Sequence, residues 1–154
     1  MIPIRLTAAA LVFLAAVLWL PGKALASDTS GVMATVNSAV ASFNKGDEKT
    51  WLTLCTSSAP VISNIAPYEY QSCGDWWNAH AAADKKTGVS GEKVTLGKAW
   101  DLEVTGDRAY GAFPATFAYE QKGKAINTSG VLTIALQKTS TGWLMTGWTW
   151  SAHS

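Results

Sequence analysis

The chain has 154 residues, with 12 Lys or Arg against 11 Asp or Glu and a formal net charge of +1. Nucleic acids and anionic membrane surfaces are held mainly by clustered Lys and Arg. The sequence has no such cluster, so we expect neither as a partner. The unusual feature of the composition is its eight Trp, a large number for a chain of this length.

The first 26 residues have the pattern of a secretory signal peptide. Arg5 supplies a positive start, residues 6–20 form an uncharged apolar run, and Ala24-Leu25-Ala26 is a small-x-small cleavage site. A membrane-spanning helix needs about 20 apolar residues, so a retained anchor is the less favoured alternative. We predict cleavage after Ala26, export to the periplasm or medium without membrane attachment, and a single domain over residues 27–154.

The two cysteines of the exported chain are predicted to form a disulfide bond. Cys55 and Cys73 would meet in an oxidising compartment, and only one pairing exists. The chain-entropy model assigns about 3 kcal/mol to a loop of this size. Two separate buried thiols remain the alternative. We expect no metal site, because His80 and His153 are the only imidazoles and no Cys-x-x-Cys occurs; no cofactor is indicated either.

Two helices are predicted before residue 57. The first has a stripe of apolar residues at three- and four-residue spacing, and Gly46 ends it as a left-handed cap. The stripe consists of Val32, Val36, Ala39, Val40 and Phe43. Asp47 is expected to cap a second helix over residues 47–56, which turns Trp51 and Cys55 inward.

The segment that follows is irregular and leads into a third helix. Pro60 and Pro67 exclude a long helix here and leave room for a short edge strand over residues 61–65. Ser72 followed by Asp75 resembles a capping box, so the third helix begins near Ser72 and ends before Gly88.

The last third of the chain predicts an antiparallel meander. Four runs rich in β-forming residues are separated by short turns, which force neighbouring strands to be antiparallel. The runs are 94–105, 109–119, 128–137 and 143–150. The two-residue period places Leu132, Ile134 and Leu136 on one face, and it places Leu144, Thr146, Trp148 and Trp150 on one face of the last strand.

This order of elements resembles the nuclear transport factor 2-like superfamily, which includes ketosteroid isomerases and SnoaL-type cyclases. The resemblance rests on Asn44-Lys45-Gly46-Asp47, on Gly106-Asp107-Arg108-Ala109-Tyr110, and on the end of the chain from Leu136 to Ser151. It implies an α+β fold in which three N-terminal helices cover a cone-shaped curved antiparallel sheet, the four-stranded meander with a short early strand. It also implies a cavity between helices and sheet.

The resemblance does not extend to the catalytic residues of the ketosteroid isomerases. Alignment on Asn44-x-Gly46-Asp47 puts Ala39 where those enzymes have a Tyr, and it puts Ser63 or Asn64 where they have an Asp base. Neither position carries the required group. The sequence therefore disfavours that mechanism, whatever the fold.

The candidate site residues lie mainly on the helical side of the molecule. His80 is the only imidazole inside the predicted fold, and Asp84 follows one helical turn later, where its carboxylate can orient the ring. His80 with Asp84 is thus the candidate general base; a solvated surface histidine is the simpler alternative. The candidate ligand-binding residues are aromatic, and most of them are also suited to a core: Tyr68, Tyr70, Trp76, Trp77, Tyr110 and Trp148.

Three functions remain open from the sequence. The leading hypothesis is an aromatic-lined cavity that binds a small apolar or aromatic molecule. The second is an isomerase, cyclase or dehydratase that uses His80 with Asp84 or Tyr70. The third is a module that forms a homodimer through the outer face of its sheet.

Overall fold

The computed structural model describes residues 22–153, with side chains from Asp28 onward. Its elements run along the chain in the order α1 (Gly22–Asn44), α2 (Glu48–Thr53), β1 (Val61–Ile62), β2 (Glu69–Tyr70), α3 (Cys73–Thr87), β3 (Val89–Leu96), β4 (Asp101–Thr105), β5 (Arg108–Gln121), β6 (Lys124–Thr139) and β7 (Gly142–His153). Residues 1–21, which hold most of the predicted signal peptide, lie outside this range. The predicted cleavage point after Ala26 falls within the backbone of α1.

The seven strands form one curved mixed sheet in the order β2-β1-β7-β6-β5-β3, and β4 also pairs with β5. The predicted α+β architecture is confirmed, with three differences of detail. Strand β2 was not predicted. The run 94–105 is two strands, because Gly97 and its neighbours leave the ladder between β3 and β4, which pair with opposite halves of β5. The early strand β1 is parallel to β7, since Val61 pairs with Trp148.

A β-bulge changes which residues of β7 face the helices. Leu136 pairs with Met145 and Ala135 pairs with Gly147, so Thr146 is an extra residue on β7. An extra residue shifts the two-residue alternation by one. Trp143 and Met145 are therefore buried before the bulge, and Trp148 lies on the inner face after it. The prediction that Leu144 and Thr146 share the face of Trp148 is wrong for this reason.

The helices begin and end largely at the predicted capping residues. Gly46 has a φ of 65° and ends α1, and the Asp47 side chain accepts a hydrogen bond from the Thr50 N–H at 3.0 Å. Ser72 caps α3, and Gly88 ends it in the left-handed conformation. Helix α2 stops earlier than predicted because the backbone of residues 54–56 pairs with Met145 of β7.

The two cysteines form the predicted disulfide bond, which ties the end of α2 to the start of α3 across a sequence separation of 18. This bond is compatible with an oxidising compartment. Among the described residues, no helix is both long enough and apolar enough to cross a lipid bilayer.

Candidate functional site

A cavity of about 280 Å³ lies between the helices and the inner face of the sheet. Its volume is close to the lower end of the range for small-molecule sites, about 300 to 1,000 Å³. Carbon-rich side chains form most of the wall, including Phe43, Trp51, Trp76, Phe117, Trp148 and Trp150. The charged lining residues within the described part of the chain are Asp84 and Glu92, with His80 beside them and no Lys or Arg.

Trp76 is the centre of the aromatic wall. Its indole stacks on the His80 ring, with centroids 4.7 Å apart, and meets Trp148 edge-on at 4.5 Å and Trp51 at 5.4 Å. Its Nε1–H donates a 3.1 Å hydrogen bond to Ser63 Oγ. Trp76 thus joins α2, α3, β7 and the loop after β1, and it fixes the plane of the histidine ring.

At one end of the cavity His80 meets two carboxylates. Its Nε2 lies 3.0 Å from Glu92 Oε2 and 3.4 Å from Asp84 Oδ2. Helix α3 supplies His80 and Asp84 at i and i+4, as the sequence indicated, and β3 supplies Glu92. His80 is 8 % exposed, so it belongs to the interior and the surface alternative is wrong. We call these three residues the acidic cluster.

Three buried polar atoms on the cavity wall lack a hydrogen-bond partner among the described residues. They are His80 Nδ1, Glu92 Oε1 and Trp148 Nε1. A carboxylate only accepts hydrogen bonds, so the contact with Glu92 holds the imidazole proton on Nε2 and leaves a lone pair on Nδ1. Buried polar groups are almost always paired in folded proteins. The three residues lie on α3, β3 and β7 and all line the cavity. Unpaired buried atoms in cavity-lining residues are typical of a site that a bound molecule completes.

The environment of Asp84 changes its proton affinity. The pKa of this carboxyl is raised from 3.8 to about 6. Burial is the main cause; the charge of His80 opposes the shift, and the charge of Glu92 and a hydrogen bond with it add to the shift. The group therefore exchanges its proton close to neutral pH. A carboxyl in that state is suited to general acid or base chemistry.

Strand β3 is irregular next to Glu92. Ser90 pairs with Glu120 but Lys93 pairs with Ala118, so β3 holds one residue more than β5 over this stretch, and Gly91 adopts a φ of 66° there. The extra residue lets both Val89 and Glu92 face the cavity. Asn44 then fixes the strand, since its side-chain amide exchanges two hydrogen bonds with the backbone of Val94, at 2.7 and 2.9 Å.

The predicted site residues separate into two groups. His80, Asp84, Trp76 and Trp148 line the cavity. Trp77 packs behind the wall, 5.1 Å from the ring of Trp51. Glu92 was not identified from the sequence. Glu92 precedes Val94 by two positions, so the two-residue alternation of a strand places both side chains on one face, and this pattern could have identified it.

The predicted tyrosines lie outside the cavity lining. Tyr70 is buried, and its hydroxyl donates to the carbonyls of Ile65 and Ala66 at 2.9 Å, so it holds the rim loop. Tyr68 is 61 % exposed and Tyr110 is 44 % exposed. Tyr110 lies on the outer face of the sheet. Formation of a homodimer through that face stays a prediction.

The raised pKa of Asp84 predicts a pH-dependent stability change. The folded protein binds this proton more tightly than the unfolded chain, so the carboxyl lowers stability as the pH rises from about 4 to about 6, and the loss is complete above that range. We expect Asp84→Asn to be more stable than wild type at pH 8, by about 1 kcal/mol after allowance for water around the carboxylate. Near pH 4 the difference should vanish.

Urea denaturation at both pH values measures this effect. Asp101→Asn makes the same chemical change on the exposed start of β4 and should give no pH-dependent gain. A gain for Asp84→Asn that is equal at pH 4 and pH 8 would contradict the assignment.

These features define an α+β fold in which helices cover one face of a curved sheet. Solved structures with this arrangement of helices and sheet superpose well on the chain. A ketosteroid isomerase-like protein from Erwinia carotovora atroseptica does so with a TM-score of 0.68 at 14 % identity, over 82 % of this chain and 97 % of that one. A nuclear transport factor 2-like superfamily protein from Salmonella enterica gives 0.68 at 17 % identity, over 84 % and 93 %.

A protein of unknown function from Mycobacterium tuberculosis gives a TM-score of 0.71 at 14 % identity, over 86 % of this chain and 76 % of that one. Such low identities establish the fold and not the activity. The chain has the nuclear transport factor 2-like fold, which confirms the resemblance seen in the sequence. No protein-family model matches it, and a search of curated proteins gives no significant match.

Proposed function

We propose that this chain is an exported protein that binds a small, mainly apolar or aromatic molecule in the cavity. The observation that carries the proposal is the cavity itself, which has the volume of a small ligand, a mainly aromatic and aliphatic wall, and a small number of polar lining groups. That combination is typical of small-molecule sites. The disulfide bond supports the exported location.

Filling the cavity tests this proposal. Ala39 is buried on α1 and lines the cavity, so Ala39→Phe should occupy the space of a ligand. We expect the affinity for a neutral bicyclic probe, 1-naphthalenemethanol, to fall by about tenfold or more in calorimetric titration, a loss of about 1.4 kcal/mol. The probe should bind to wild type and quench its tryptophan fluorescence.

Ala82→Phe is the matched control, because Ala82 lies on the exposed face of α3 and receives the same substitution. Circular dichroism shows whether each variant is folded. Equal affinities in the two variants would place the probe outside the cavity. Absence of probe binding to wild type would count against the proposal as a whole.

A second candidate function is proton transfer on the bound molecule, as in an isomerase or dehydratase. It is favoured by the contacts of His80 Nε2 with two carboxylates, which leave Nδ1 as the free base. An imidazole oriented by a carboxylate is a common general base, and such a base contributes about 10²- to 10⁴-fold to a rate. Tyr70, whose hydroxyl is used by the rim loop, has no part in this arrangement.

Deuterium exchange at the α-carbon of 2-tetralone, followed by NMR, tests the second function. Wild type should accelerate the exchange, and His80→Ala should lose about 10²-fold of that acceleration while it still binds the ketone. His153→Ala removes the other imidazole, on the exposed end of β7, and should leave the rate unchanged. Exchange that persists in His80→Ala would exclude His80 as the base.

A further inference from the structure

The acidic cluster gives one part of the cavity a net negative charge. Asp84 and Glu92 are two carboxylates against one imidazole, and their contacting atoms and His80 Nε2 all lie within 4.8 Å of one another. Above the pKa of Asp84, the cluster is negative whether or not the imidazole is protonated. Within the described lining there is no Lys or Arg to balance it.

Burial makes this imbalance costly. The side chains of His80, Asp84 and Glu92 are 10 %, 23 % and 17 % exposed. Unbalanced charge is stabilised poorly where water is scarce, so a cation placed there gains more than it would at a surface. Glu92 Oε1 is also a buried hydrogen-bond acceptor that has no donor among the described residues.

The walls beside the cluster restrict the kind of cation. Trp76 stacks on the His80 ring, and the Phe43 ring lies 5.5 Å from it, so aromatic side chains surround the imidazole that contacts both carboxylates. Aromatic faces attract organic ammonium groups, by about 0.5 to 2 kcal/mol. Most of the remaining lining is apolar and suits the hydrocarbon body of an organic ligand. The polar exceptions are Ser63, Asn64, Thr87 and Tyr119.

From these contacts we propose that the ligand is an organic amine, with an ammonium group held by Glu92 and Asp84 and an apolar or aromatic body in the cavity. The inference rests on the proposed binding function and deepens it. Glu92 is the main anchor, because its buried Oε1 has no hydrogen-bond partner among the described residues, whereas its Oε2 contacts His80. Asp84 supplies the second charge.

Three naphthalene probes of similar shape test the proposal: 1-naphthylmethylamine, 1-naphthalenemethanol and 1-naphthoate. Each is titrated calorimetrically at pH 7.5 in low salt with EDTA. We expect the amine to bind about tenfold tighter than the alcohol, and the anion to bind most weakly. Glu92→Gln should remove the preference for the amine and leave the affinity for the alcohol unchanged, and Asp84→Asn should reduce the preference in part.

Glu103→Gln is the matched control, since Glu103 is exposed on β4 and the same charge is removed; the preference should persist. Equal binding of amine and alcohol to wild type would overturn the amine assignment and leave the binding function intact. A preference that survives both Glu92→Gln and Asp84→Asn would also overturn it. If none of the probes binds, the binding function fails as well.

A separate titration with Zn²⁺ alone, without EDTA, distinguishes a metal from an organic cation. Zn²⁺ binding that Glu92→Gln abolishes, together with equal affinities for amine and alcohol, would assign the cluster to a metal and overturn the proposal. Selective amine binding in EDTA supports it.

Discussion

Trp76→Ala should lower the free energy of unfolding by about 4 kcal/mol, within the range seen when a buried aromatic residue is truncated. Trp76 is 5 % exposed and contacts the rings of Phe43, Trp51, Trp77, His80 and Trp148. Its removal would leave a large gap between α3 and the sheet and would break the hydrogen bond to Ser63. Urea denaturation followed by circular dichroism measures the loss.

Trp100→Ala is the matched control for this prediction. Trp100 precedes β4 and is 67 % exposed, so the same truncation at that position should change stability by less than about 0.5 kcal/mol. Trp76→Phe keeps a ring against His80 and should be less destabilising than Trp76→Ala. Similar losses for Trp76→Ala and Trp100→Ala would contradict the central position of Trp76.

Removal of the disulfide bond in Cys55→Ala/Cys73→Ala should lower the free energy of unfolding by about 3 kcal/mol. The bond closes a loop with a sequence separation of 18, which contains β1, β2 and the rim loop of the cavity. Without it, the unfolded chain regains the freedom of that loop. The same measurement on wild type in excess reductant should give a matching loss.

An unchanged stability on reduction would contradict this prediction. Reduction of the disulfide bond should destabilise the Trp100→Ala variant as much as it destabilises wild type, because residue 100 lies outside the loop that the bond closes. The probe affinity of the double variant then reports whether the loop must be held for the cavity to bind.

The helix caps and the disulfide pairing could be predicted because they depend on local or exclusive features. Asp47, Ser72 and Gly88 act on the backbone within a few residues of themselves, and their effect is visible in the sequence. Two cysteines permit one pairing. The aromatic wall was predicted in part: Trp76 and Trp148 line it, whereas Tyr68 and Tyr110 are on the surface, because residue type alone does not give the direction of a side chain.

The acidic cluster shows what residue order could not give. His80 and Asp84 are one helical turn apart, so their contact follows from the sequence. Glu92 is on β3, and its contact with His80 depends on how β3 packs against α3, which the order of residues does not specify. The β-bulge at Thr146 likewise moved Met145 to the inner face of β7.

The sequence by itself determined the α+β class, the resemblance to the nuclear transport factor 2-like fold, the helix caps and the pair His80 and Asp84. These follow from periodicity, short turns and residue chemistry, which act over a few positions. Only the tertiary structure decided that β1 joins the sheet in parallel with β7, that His80 is buried and that Glu92 completes the acidic cluster. Strand pairing and bulges depend on partners distant in the chain, so local sequence does not specify them.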